Sequence, residues 1–258
     1  MANGSVNRRI LVAVGAVALV AAGFATARVL AQGLTSAQGD AILKELKEIR
    51  ILLEQMQKPP GGGAAERPAA GANALVKVPI RDGHTLGSAD AQLVMVEFTD
   101  YQCPYCRNFN VGTLPALKTK YIDTGRLQFV SRDFPLDFHP QASIAAHAAR
   151  CAGDQDKYWQ IRPVLFANGS ALQKDNLLTY ARDLGLNTTT FQQCLDKQAH
   201  GPSIKTDQAE ALAAGIEGTP TFVLGRRSST GTVEGVRIVG AQPLAVFDSK
   251  ISELLAGK

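Results

Sequence analysis

Two cysteines three positions apart, in Cys103-Pro104-Tyr105-Cys106, constrain this chain more than any other feature. The apolar run Leu93-Val94-Met95-Val96-Glu97-Phe98 leads into Thr99-Asp100-Tyr101-Gln102 and then the pair, after which the pattern turns helical. Thiols at this spacing on a strand-to-helix junction can form and break a disulfide within one helical turn. Pro104 suits a first helical position, because its ring presets φ and no intrahelical N–H is lost there. Cys103 then sits at or next to the N-cap, where unpaired N–H groups and the positive dipole end favour thiolate over thiol. The expectation is an exposed, attacking Cys103 and a more buried, resolving Cys106. A zinc site of the common kind needs a second Cys-x-x-Cys or a His-x-x-x-His, and the sequence has neither.

Length and charge narrow the field. At 258 residues the chain can hold one large domain or a domain with an insertion, and a formal net charge of +4 gives no reason to propose a nucleic-acid partner. Residues 10–27 carry no charge and follow Arg8 and Arg9, an export signal with a basic flank. Ala25-Thr26-Ala27 and Val29-Leu30-Ala31 both resemble cleavage sites, yet the run also nears a membrane-spanning length, so residues 1–31 are a signal peptide or a signal anchor. Either way the remainder is expected outside the cytoplasm, periplasmic or membrane-tethered, where disulfides persist.

Residues 32–57 form the next unit, with a helix predicted from Leu34 to Gln57. Ile42, Leu46, Ile49, Leu53 and Met56 follow the four-three spacing of a coiled-coil seam, and an amphipathic helix packing elsewhere fits equally. Residues 58–74, with Pro59-Pro60-Gly61-Gly62-Gly63, are a linker that cannot build a core. In the folded part, 75–258, strands are expected at Lys77–Arg81, Gln92–Phe98, Arg126–Arg132, Thr219–Gly225 and Val236–Val239. A helix from Pro104 should kink or break at Pro115. Residues 140–200 should be helical, with breaks near Gly153, Gly169 and Gly185, and Leu244–Leu255 a terminal helix. The order implies an α/β fold, a mixed sheet with a helical insertion.

Glu97 through Cys106, together with Gly218-Thr219-Pro220-Thr221-Phe222, resembles the DsbA-like thiol–disulfide oxidoreductases of the thioredoxin superfamily. Cys-Pro-Tyr-Cys alone also occurs in glutaredoxins; export, insertion and length favour the DsbA-like branch. The resemblance implies a thioredoxin fold built from about 75–138 and 202–258, with the α-helical insertion at about 139–201. It implies polypeptide thiols and disulfides as substrates, a membrane redox partner that reoxidises or reduces the protein, and no organic cofactor or metal beyond the Cys103–Cys106 disulfide itself. By motif, Pro220 matches the cis-proline facing the sulfurs, Thr219 the residue before it, and Glu97 the buried acid that exchanges the second cysteine's proton. An edge-facing surface glutamate is the alternative for Glu97.

Two departures bear on direction. The dipeptide is Pro-Tyr rather than Pro-His, so no imidazole helps to hold the thiolate. Thr219 is more reminiscent of disulfide isomerases, which are oligomeric through N-terminal segments. The leading expectation is an oxidase, followed by an oligomeric isomerase or reductase, and by a thioredoxin-fold binder of polypeptides.

Cys151 and Cys194 fall in the insertion. An even cysteine count in an exported chain favours a structural bridge between them, closing a loop of roughly 44 residues and stabilising by at most about 4 kcal/mol. Two separate buried thiols are the alternative. His84, His139, His147 and His200 are scattered; none is near the pair in sequence, and none is positioned for catalysis.

Overall fold

The computed structural model describes residues 36–56, 75–80 and 83–257. The leader, its cleavage sites and the 58–74 linker lie outside the described residues. The chain divides into two compact units, Met1–Glu66 and Arg67–Lys258. In the first, helix α1 (Ser36–Met56) carries Ile42, Leu43 and Leu46 exposed. Among the described residues no helix is long and apolar enough to cross a membrane.

The second unit is built on one six-stranded sheet, ordered β1 (Leu75–Pro79), β6 (Thr232–Val239), β5 (Thr221–Arg227), β3 (Leu93–Thr99), β4 (Leu127–Asp133), β2 (His84–Leu86). Only the β3–β4 pair is parallel. Strand β3 is central and buried throughout, the reason its sequence is apolar nearly without alternation. Its side chains still divide by parity. Leu93 and Met95 join Phe109, Leu117, Phe222 and Phe247 in a core beneath the helices on one face. Val94, Val96 and Phe98 join Val223, Ala211 and Ile216 on the other. Glu97 shares the parity of Met95 and is completely buried, so the surface reading of this residue is wrong.

The β3–β4 crossover is helical from α2 (Pro104–Asn108) through a π turn (Phe109–Thr113), α3 (Leu114–Leu117) and a second π turn (Lys118–Ile122). The break expected at Pro115 takes the form of the first π turn. The wider turn leaves Pro115 in the opening turn of α3, where its missing N–H costs nothing.

The insertion packs α4 (Ala142–Gly153), α5 (Tyr158–Ala167), α6 (Lys174–Asp183) and α7 (Thr188–Asp196) around their own core. Helix α8 (Gly201–Ala213) returns the chain to the sheet, and α9 (Leu244–Leu255) closes it. Cys151 and Cys194 are joined by a disulfide tying α4 to α7, with Cα atoms 5.8 Å apart and a sequence separation of 43.

Two strands differ from expectation. Strand β2 is only three residues long, below what alternation can reveal. Strand β6 begins at Thr232, four residues early, because Gly235 sits within it where glycine reads as a break. It pairs with Gly225, and a Cβ on either would come within 2.1 Å of the partner strand's backbone.

A buried charge network fastens the insertion and α8 to the sheet. Arg132 on β4 pairs with Asp207 and Glu210 on α8, while Arg150 on α4 pairs with Asp133 on β4 and with Asp207. The carboxylate of Asp207 also accepts the Asp133 backbone N–H at 2.9 Å. Each charge is acceptable in the interior only because its partners are in place. Asp207→Ala should therefore lower unfolding stability by about 3–5 kcal/mol, read as a lower denaturant midpoint; a loss under 1 kcal/mol would mean that the network is not holding the insertion and α8 to the sheet.

Candidate active site

The end of β3 and the start of α2 meet the insertion where Tyr101, Cys103 and Cys106 join its apolar core. Cys103 occupies the N-cap with extended backbone (φ −71°, ψ 121°), and Pro104 follows in the first turn. Both cysteines are thiols in this structure. Cys106 is completely buried, and Cys103 is only 4% exposed. The expectation of an exposed Cys103 needs correction. Its side chain reaches solvent through a groove of about 260 Å³ lined by Tyr101, Gln102, Pro104, Arg107, Phe166 and Gly169.

The two sulfurs differ sharply in acidity. Cys103 is lowered to about 5, first because the Cys106 thiol donates to it; Thr219 and the backbone N–H groups of Cys106 and Tyr105 add to this against the cost of burial. The Thr219 hydroxyl is buried without another partner, which leaves it available to the anion. Cys106 is pushed well above the ordinary thiol range, mainly by burial, then by its bond to Cys103 and by the charge of Glu97. The Thr219–Pro220 peptide is cis, and Thr219 O lies 3.5 Å from Cys103 Sγ. Proline at 220 leaves no N–H to compete there, so from this loop it is Thr219 that faces the sulfur. The Pro220 carbonyl is taken by Gly240 N at 2.8 Å.

Glu97 lies behind Cys106. Burial raises its pKa, making the carboxyl a weaker acid, while Arg162 and Asn110 oppose that rise. Asn110 Nδ2 donates to Glu97 Oε1 at 3.2 Å and to the Cys106 carbonyl at 2.8 Å, and Arg162 donates to both Glu97 and Asn110. Arg162, 2% exposed, comes from insertion helix α5, and its guanidinium lies over the Phe166 and Trp159 rings. Sequence reasoning missed both partners. An arginine 56 residues after Cys106 on a mixed helix gives no signal, although Asn110, four residues after Cys106 and so on the same helical face, could have been found.

The loop between the strand and Cys103 is braced by Asp100. One of its oxygens accepts Gln102 N at 2.7 Å; the other accepts Leu136 N at 2.9 Å and lies 2.7 Å from His139 Nδ1. Asp100 N in turn donates to Cys106 Sγ at 3.5 Å. His139 is thus brought close to the pair after all, as a support for the loop that touches neither sulfur. Tyr101 donates to Tyr158 and Tyr158 to Ser131, both at 3.0 Å; burial holds both phenols protonated.

The thioredoxin family model matches residues 80–237. Among solved structures, α-DsbA1 of Wolbachia pipientis superposes with a TM-score of 0.61 at 26% identity, covering 70% of this chain and 94% of that one. BdbD of Bacillus subtilis, in its oxidised form, gives 0.62 at 24% identity over 72% of this chain and 100% of that one, a likeness of fold. A curated Na(+)/H(+) antiporter NhaA of Herminiimonas arsenicoxydans is 37% identical over 145 residues, 56% of this chain and 22% of the antiporter. NhaA 1 of Salinispora arenicola is 35% identical over 155 residues, 60% of this chain and 23% of that protein. The chain spans about a quarter of the length of the curated relatives it matches. It belongs to the thioredoxin family, among the DsbA-like thiol–disulfide oxidoreductases.

The Glu97–Arg162 pair makes a sharp prediction. Arg162→Met strands a buried carboxylate and should cost about 3–5 kcal/mol. Adding Glu97→Gln removes that charge and should recover more than half of the loss in urea unfolding. Additive losses in the double variant would show that the two side chains are not coupled.

Proposed function

We propose that this DsbA-like oxidoreductase works outside the cytoplasm as an oxidase, passing the Cys103–Cys106 disulfide to polypeptide thiols. The observation that carries this reading is the gap in acidity between the two sulfurs. A Cys103 thiolate near 5 is a good leaving group. A substrate thiolate attacks Cys103 Sγ and the electron pair of the S–S bond goes to Cys106, which is protonated with Glu97 as the nearby acid. The substrate's second thiolate then attacks its own sulfur in the mixed disulfide and expels Cys103 as thiolate. The substrate leaves with a disulfide and the enzyme as a dithiol, to be reoxidised by a membrane redox partner.

Polypeptide substrates are supported by the surface around the sulfur. Tyr105 and Phe138 are exposed by 63% and 76%, and Val239, half exposed, pairs with Thr221 just after the cis-proline. Exposed apolar groups at a thiolate suit an unfolded chain better than a small hydrophilic thiol. The cysteine pair needs no organic cofactor or metal for this chemistry. Export rests on the basic-flanked apolar leader and on the Cys151–Cys194 disulfide, which persists in oxidising compartments.

A second reading, an oligomeric isomerase or reductase, is favoured by the exposed Ile42 and Leu46 on α1 and by Thr219 before the proline. Equilibration of the pair with glutathione separates the two. An oxidase requires a potential well above the about −270 mV of thioredoxin, and Cys103→Ser should abolish oxidation of a reduced protein substrate. A potential at or below that value would reverse the direction.

The pH dependence follows from the same sulfur. Its folded value near 5 lies below the ordinary 9.0, so the reduced form is stabilised fully above about 9 and loses this as pH falls through about 5. Unfolding of the dithiol and disulfide forms from pH 9 to 5 should show the dithiol form losing ground; parallel curves would contradict it.

A further inference from the structure

The second cysteine pair lies among metal-binding groups that the redox site does not use. Ligand atoms of Cys151, Cys194 and His200 all fall within 4.8 Å of one another. Asp154 joins them, its Oδ2 standing 2.8 Å from His200 Nε2 and 3.6 Å from Cys194 Sγ. The four residues come from separate places: Cys151 and Asp154 from the last turn and C-cap of α4, Cys194 from α7, His200 from the N-cap of α8. Cys151 is buried and the other three reach solvent, so a cation has a way in.

We propose that reduction of the Cys151–Cys194 disulfide converts this cluster into a zinc site, with Cys151, Cys194 and His200 as ligands and Asp154 as the fourth. A disulfide offers no thiolate, so the oxidised protein takes no metal. A dithiol reductant supplies two electrons and two protons to the S–S bond and leaves as its own disulfide. The two cysteine thiols then release their protons to solvent as Zn²⁺ binds. Two thiolates with an imidazole and a carboxylate suit zinc over hard cations such as calcium or magnesium.

The geometry is within side-chain adjustment of what the ion needs: His200 Nε2 and Asp154 Oδ2, 2.8 Å apart, must part to about 3.4 Å. Metal–sulfur bonds near 2.3 Å and metal–oxygen bonds near 2.1 Å set a sulfur–oxygen edge of about 3.6 Å in a tetrahedron. The Cys194–Asp154 separation of 3.6 Å already matches it. The sulfurs must part to about 3.8 Å, which side-chain rotation supplies between Cα atoms 5.8 Å apart. The spacing escaped the sequence motifs because Cys151 and Cys194 are distant in the chain and His200 lies six residues beyond the second. Bound zinc would block re-formation of the disulfide, making the pair a two-state site set by redox conditions and metal supply.

The test uses the full chain with Cys103→Ser and Cys106→Ser, so that no other thiols compete. The protein is reduced with a dithiol, desalted anaerobically and titrated with zinc against a chromophoric chelator, with cobalt as a spectroscopic probe. One equivalent should bind to the reduced form and none to the oxidised form, and cobalt should show tetrahedral d–d bands with thiolate charge transfer. His200→Ala should weaken zinc binding roughly tenfold or more. If reduction unfolds the insertion, zinc should restore its helical circular dichroism. A reduced protein that neither binds zinc nor refolds with it would overturn the proposal, as would unchanged affinity in His200→Ala.

Discussion

The hydrogen bond from the Cys106 thiol to the Cys103 sulfur is the interaction on which the rest depends. It distinguishes two chemically identical groups, leaving one anionic and the other protonated. It works because the fold buries them unequally: Cys103 ends at a groove, Cys106 has no exposure at all. Neither placement belongs to the four-residue motif alone. Strand β3 must end at Thr99, Asp100 must hold the following turn, and Pro104 must open the helix at the next step. The cis-proline loop then closes over the sulfur with Thr219. Each part is an ordinary local preference, and together they leave the anion only a few donors to choose from.

Behind the pair stands a second layer that the insertion supplies. Arg162 crosses from α5 to Glu97 and Asn110, so a residue outside the thioredoxin part opposes the rise that burial imposes on the carboxyl near Cys106. The same insertion is fastened to the sheet by Arg150, Asp133, Arg132 and Asp207. Both connections are buried ion pairs, whose value lies in specificity: each is costly to break from one side only. Packing of the insertion and acid–base behaviour of the site are thereby linked, and a movement of α5 would be felt at Glu97.

Much of this was legible in the residues. The apolar run of β3, the cysteine pair, Pro220, the terminal helix and the glycine-marked breaks of the insertion each announce themselves through periodicity or backbone preference. What stayed hidden depends on long-range pairing. Arg162 and His139 look like unremarkable polar residues until folding sets them beside Glu97 and Asp100. Strand β2 is too short to alternate, and Gly235 hides the first half of β6, since glycine reads as a break where here it allows two strands to approach. The expected exposure of Cys103 failed for a similar reason: an N-cap is usually at the surface, but this one is roofed by the insertion and the cis-proline loop.

The most direct measurement is the titration of the Cys103 thiol in the reduced protein, by thiolate absorbance or by the pH dependence of alkylation, with Cys106→Ala, which removes the donor, as the comparison. The account predicts a midpoint near 5 and selective modification of Cys103, with the midpoint rising when the Cys106 donor is changed. A midpoint near the ordinary 9.0, or equal modification of both cysteines, would contradict it.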